Sequence, residues 1–127
     1  MAKWQNDLML DAALQYVIDN STNIVLCSNQ PASFTEASNT ITNGGVAIAT
    51  SSITSGDYAG IVDGVGGRKI VVPQQTDVTV DETATATHVA IISGTDLIYV
   101  TTCVSQSVTA GNLVTIPEWE IELRDAV

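Results

Sequence analysis

Cations are scarce in this chain: four lysines and arginines stand against 14 aspartates and glutamates in 127 residues, for a formal net charge of −10. A surface so poor in positive charge cannot neutralise a run of phosphates and release their counterions, which excludes nucleic acid and an anionic membrane as expected partners. Histidine occurs once, as His88, and cysteine twice, as Cys27 and Cys103. With no second histidine and no close cysteine pair, a zinc site lacks its usual ligands. The serines are plentiful, yet no Gly-x-Ser-x-Gly occurs and one histidine would have to serve every base, so a hydrolase triad is not expected either. No apolar run approaches the roughly 20 residues that span a bilayer.

The cysteines lie inside apolar, strand-like runs, and residues 1–7 carry no secretory signal, so two buried free thiols are expected. A bridge between Cys27 and Cys103 stays open should their strands be neighbours. Aromatic residues number six, Trp4, Tyr16, Phe34, Tyr58, Tyr99 and Trp119, a thin supply for stacking against a carbohydrate. Only 14% of residues are charged while 45% are hydrophobic. That blandness is more usual in β-rich structural or binding modules than in enzymes. The length predicts one domain with a real core.

What the chain does have is strand pattern. In residues 116–123, Trp119, Ile121 and Leu123 fall on one face of an extended chain and Glu118, Glu120 and Glu122 on the other, as in a half-buried strand. Residues 88–92 and 97–104 flank the turn-forming Ser93-Gly94-Thr95-Asp96, a hairpin spacing. Residues 24–27 read as a central strand, with further strands at 46–49, 68–72, 77–80 and 113–116. Residues 83–87 alternate strictly and are expected at a sheet edge. If Val114 and Ile116 face inward, unbroken alternation would bury three carboxylates, so a bulge or break is predicted at Pro117. One helix is predicted over residues 7–19, capped by Asn6 or Asp7, with Leu10, Ala13, Leu14, Val17 and Ile18 on its apolar stripe. The expected fold is mainly β: a β-sandwich or small β-barrel of seven to eight short strands with one N-terminal α-helix.

Residues 38–67 offer little periodicity and many glycines, and a partly mobile interaction arm is expected there, with Tyr58 exposed on it. At its end Gly64-Val65-Gly66-Gly67-Arg68-Lys69 has the look of a phosphate loop, but Lys69 leads into a strand rather than a helix. His88 reads as a structural strand residue and Trp119 as core. The Glu118, Glu120, Glu122 row is a solvated face, a partner for Arg68, Lys69 or a basic patch, or a calcium site; alternate residues of a straight strand, roughly 7 Å apart, disfavour the last. No catalytic residue, cofactor site or metal site emerges. Trp4, Tyr58, Arg68 and Lys69 are the candidate partner contacts.

Several strings together resemble a family of small structural proteins of tailed bacteriophages. They are Asn6-Asp7-Leu8-Met9-Leu10-Asp11-Ala12-Ala13-Leu14, Leu26-Cys27-Ser28-Asn29-Gln30-Pro31, Gly67-Arg68-Lys69-Ile70, Ile98-Tyr99-Val100-Thr101-Thr102-Cys103 and Ile116-Pro117-Glu118-Trp119. The resemblance implies a virion component assembled in the host cytoplasm, and within that class a head decoration or cement protein bound to the major capsid protein. Lattice sites on three-fold axes make a homotrimer the expected oligomer. A tail or fibre subunit and a carbohydrate-binding module outside any virion are the alternatives.

Overall fold

The structure, a computed structural model, describes residues 7–124. Helix α1 (Asp7–Asn20) buries Leu10, Leu14, Val17 and Ile18, positions spaced by four, seven and eight residues and therefore on one side of a helix. Ala13, expected on that stripe, faces solvent. The helix ends without a glycine. Its last carbonyls are taken instead by polar side chains: the Asn20 amide donates to the Tyr16 carbonyl over 2.9 Å, and the Ser21 hydroxyl donates to the Val17 carbonyl.

Nine strands follow, joined in antiparallel pairs into three sheets with a sandwich-like arrangement. Strand β1 (Asn23–Cys27) lies between β2 (Ala47–Ser52) and β6 (Ala84–Ile92), and β6 carries β7 (Leu97–Val108) on its far side. From Ile24 to Cys27 strand β1 is apolar because both of its faces are covered. Ile24 and Leu26 join Ile48, Val89 and Ile91 in the main core, while Val25 and Cys27 join Ala90 and Ile92 under the short helix α2 (Phe34–Ser38). Ser33 caps α2 by accepting from the Glu36 backbone N–H, and the Glu36 carboxylate accepts in return from the Ala32 N–H, a variant of the capping box in which the reciprocal bond falls one residue earlier.

The second layer holds β3 (Val62–Asp63), β4 (Gly67–Val72) and β9 (Trp119–Arg124), and beside them the pair β5 (Gln75–Thr79) and β8 (Leu113–Ile116). Ile70, Val72, Val78, Ile116 and Ile121 close the main core from this side, with Leu14, Val17 and Ile18 of α1. The break expected at Pro117 is a change of sheet. Ile116 stands opposite Gln75 on β5, and three residues later Trp119 stands opposite Val72 on β4. Parity resets over Pro117 and Glu118, so that Ile121 is buried while Glu118 and Glu120 are exposed. The edge expected for the first half of β6 is also present, since Ala84–Ala86 pairs with β7 alone and β1 takes only His88–Ile92.

Residues 38–67 correct one expectation. They build β2, which buries Ala47, Ile48 and Ala49 and pairs along the whole of β1, then a turn and β3, and no free arm stands out from the domain. The glycines there serve close backbone approach as well as bending. A Cβ at Gly45 would lie 2.0 Å from the Asn39 carbonyl oxygen, and one at Gly67 would lie 1.9 Å from that of Leu123. Gly44 closes the turn at residues 41–43 with φ of +89°, the left-handed region that glycine adopts without steric cost. Among the described residues the strands number nine rather than seven to eight, β3 being only two residues long.

Candidate interaction surface

Three strands have an edge that no other described strand occupies and that borders the same space. Strand β7 ends its four-stranded sheet, β9 pairs only with β4, and β8 pairs only with β5. Between β7 and the Ile116–Glu120 crossover lies a cleft of about 550 Å³. Its floor reaches core residues Val89 and Ile116, its walls include Cys103 and Trp119, and Val104 and Glu118 stand at its rim. A smaller cleft of about 180 Å³ continues beneath β7 to Leu26 and Ala86. The sandwich is thus unsealed along one side.

The shape follows from β7 itself. Ala86 of β6 faces Gln106 and His88 faces Thr102, so Thr87 alone is opposed by Cys103, Val104 and Ser105. This bulge of three residues against one interrupts the ladder, and Val104 is left 90% exposed. At the neighbouring end Tyr99 stacks on Trp119, their ring centroids 5.4 Å apart and their planes tilted by 30°. The Trp119 indole N–H is buried without an acceptor among the described residues. An orphaned donor of this kind carries a desolvation cost that a bound acceptor would remove. Glu118 has no ion-pair partner among the described residues.

The four expected contact residues lie elsewhere. Trp4 is outside the described residues. Tyr58 is buried, which corrects its expected exposure: it packs in the main core and donates from its hydroxyl to Ser21 Oγ over 3.1 Å. Burial pushes the Tyr58 phenol up from its ordinary pKa, and the Ser21 bond partly offsets this. Arg68 clamps Asp11 with two bonds, Nε to Oδ1 at 2.7 Å and Nη2 to Oδ2 at 3.2 Å, and reaches Asp63 Oδ1 with Nη1 at 2.5 Å. Lys69 pairs with Glu120, and the ammonium's pKa rises beside that carboxylate. Both cations tie the second layer together, Arg68 to α1 and Lys69 to β9. The Glu row divides accordingly: Glu120 pairs with Lys69, Glu122 accepts from the Gly66 N–H over 2.9 Å, and Glu118 is left at the cleft.

The cleft was missed by reading residue types in isolation. Its signal is an absence: residues 97–108 contain no charge and no proline. Edge strands ordinarily carry such residues to prevent pairing with another chain.

His88 Nδ1 sits 2.8 Å from Thr87 Oγ1. Among the described residues no group of three or more His, Cys, Asp or Glu is placed to hold a metal ion, and no helix is long and apolar enough to cross a membrane. Cys27 and Cys103 are both free. Burial, with a smaller contribution from Cys103, pushes the Cys27 thiol up to about 12 from 9.0. The native thiol keeps its proton in a pH range where the unfolded one loses it, so stability present below pH 9 is lost as pH rises toward 12. The expected slope is up to about 1.4 kcal/mol per pH unit from this residue. Urea titrations at pH 8, 9 and 10 of wild type and Cys27→Ala check it; the same slope in both proteins would remove Cys27 as the cause.

Comparison with protein-family models, with curated proteins and with solved structures finds no match for the chain.

Proposed function

We propose that this protein is a structural component of a tailed-phage particle and that it decorates the head by binding the major capsid protein lattice. The observation that carries this reading is the uncharged edge of β7 above an apolar cleft, in a domain that is otherwise strongly acidic. Such a surface favours association with protein, and the candidate basic residues Arg68 and Lys69 are already engaged in holding the domain together. Two of the five phage-like strings lie here: residues 98–103 form part of β7, and residues 116–119 cross the cleft.

A second surface supports self-association on the particle. Met9, Ala12, Ala13 and Tyr16 lie three, four and seven residues apart on the outer side of α1, and all are exposed. Its expected occupant is a second copy, because the stripe is uncharged, the neighbouring Asp11 is neutralised by Arg68, and two small alanines allow helices to approach closely. A homotrimer on three-fold lattice sites is the arrangement proposed. Weak contacts per copy then add through multivalency.

Sedimentation of the purified protein with phage heads lacking it tests the reading. Saturation at a fixed multiple of the lattice sites is the expected result. No uptake, or a few copies at one vertex, would overturn the decoration role.

A further inference from the structure

We infer that the free edge of β7 receives an extended segment of a different protein, which adds a fifth strand to the β2-β1-β6-β7 sheet, places alternate apolar side chains in the cleft and brings a basic residue to Glu118. The inference deepens the reading above and rests on it only for the partner's identity.

The backbone requirement comes first. Strand β7 runs for 12 residues, with the bulge at Cys103, Val104 and Ser105 inside it, and among the described strands it pairs with β6 alone. An added strand satisfies such an edge by main-chain hydrogen bonds, while side-chain pockets on one face supply selection. Side chains of an extended chain alternate, so every second residue of the incoming segment can face the cleft. The floor there is Val89 and Ile116, which selects apolar groups of aliphatic size. The Trp119 ring lines the wall, and its indole N–H, buried beneath, has no acceptor among the described residues.

Charge decides between a second copy and a foreign segment. At the rim, Glu118 is exposed and unpaired among the described residues, in a chain of net charge −10. Another copy would bring the same negative field. Of its described cations Arg68 and Lys69 are already paired, leaving Arg124 alone outside an ion pair. A basic segment meets the opposite sign at the rim and gains encounter rate as well as specificity.

The test uses two synthetic six-residue peptides, one alternating valine with lysine and the other valine with glutamate, titrated into the full chain labelled with 15N. The lysine peptide is expected to shift the amides of residues 97–108 and the Trp119 indole N–H, and to bind at least about tenfold more tightly than the glutamate peptide. Val104→Lys places a cation on a strand position that is 90% exposed, so the fold is retained, as its amide spectrum will verify. It should weaken the lysine peptide by about tenfold or more. Glu118→Gln should reduce the preference for lysine over glutamate while leaving the shifted residues the same. Equal binding of the two peptides, shifts spread over the acidic surface, self-association mapping to β7, or an unaltered affinity in Val104→Lys would each overturn the inference. If the peptide behaves as expected and heads take up no protein, the decoration reading falls and the edge site stands. If heads saturate and the peptide result is negative, the reverse holds.

Discussion

Gly67→Ala is expected to destabilise the protein by about 3 kcal/mol, whereas Gly66→Ala, one residue away, costs less than about 1 kcal/mol. A Cβ at Gly67 would sit 1.9 Å from the Leu123 carbonyl oxygen and 2.7 Å from the Arg124 Cα, whereas one at Gly66 meets nothing within 4 Å. The obstacles are backbone atoms of β9, which cannot rotate aside. Relief requires β4 and β9 to separate where Gly67 faces Arg124 and Arg68 faces Leu123. That separation also pulls on the clamp between Arg68 and Asp11, which ties β4 to α1. Urea unfolding of the two variants beside wild type measures both costs. Equal midpoints would mean that the strands yield without loss, and the close approach would then have no energetic role.

The same glycine shows where reading the chain stops. In sequence, Gly64, Gly66 and Gly67 look alike and all read as flexibility. Which of them is a spacer between backbones depends on β9, more than 50 residues later. Tyr58 is similar: a single aromatic amid serine and glycine gives no local sign that its ring enters the core and that its hydroxyl meets Ser21 at the end of α1. Arg68 reads as a spare cation for a partner, because Asp11 is 57 residues away in the chain, whereas the pairing of Lys69 with Glu120 is one of the readings that the alternating Glu row leaves open.

Local pattern was legible wherever one face of an element is buried. The alternation at residues 119–123, the 93–96 turn, the stripe of α1 and the break at Pro117 all follow from side-chain periodicity, which needs no knowledge of the neighbours. The cleft belongs to the other class. That β7 is uncharged is visible in the sequence; that it ends a sheet, and that β8 and β9 leave their own edges beside it, is a property of topology. The bulge at Cys103, Val104 and Ser105 is hidden for the same reason, since it exists only relative to Thr87 on β6.

Ile91→Ala and Val104→Ala separate the residues that hold the fold from those the fold leaves available. Ile91 is fully buried in the main core, between Ile24 on β1 and Tyr99 on β7 in register. Its truncation removes the transfer free energy of the lost methyl and methylene groups and leaves a cavity beneath α1 and the second layer, an expected cost of about 4 kcal/mol. Val104 is also apolar and in the adjoining strand, but at 90% exposure it has almost no burial to lose. Its truncation is expected to change stability by less than about 0.5 kcal/mol. Chemical denaturation of both variants, with the m-value monitored, decides the matter. A cost above about 1 kcal/mol for Val104→Ala would mean that β8 and β9 close over β7 in solution, sealing the cleft. With the expected result, an aliphatic side chain that contributes nothing to folding stands at the rim of an apolar cleft, where it is free to contribute to binding.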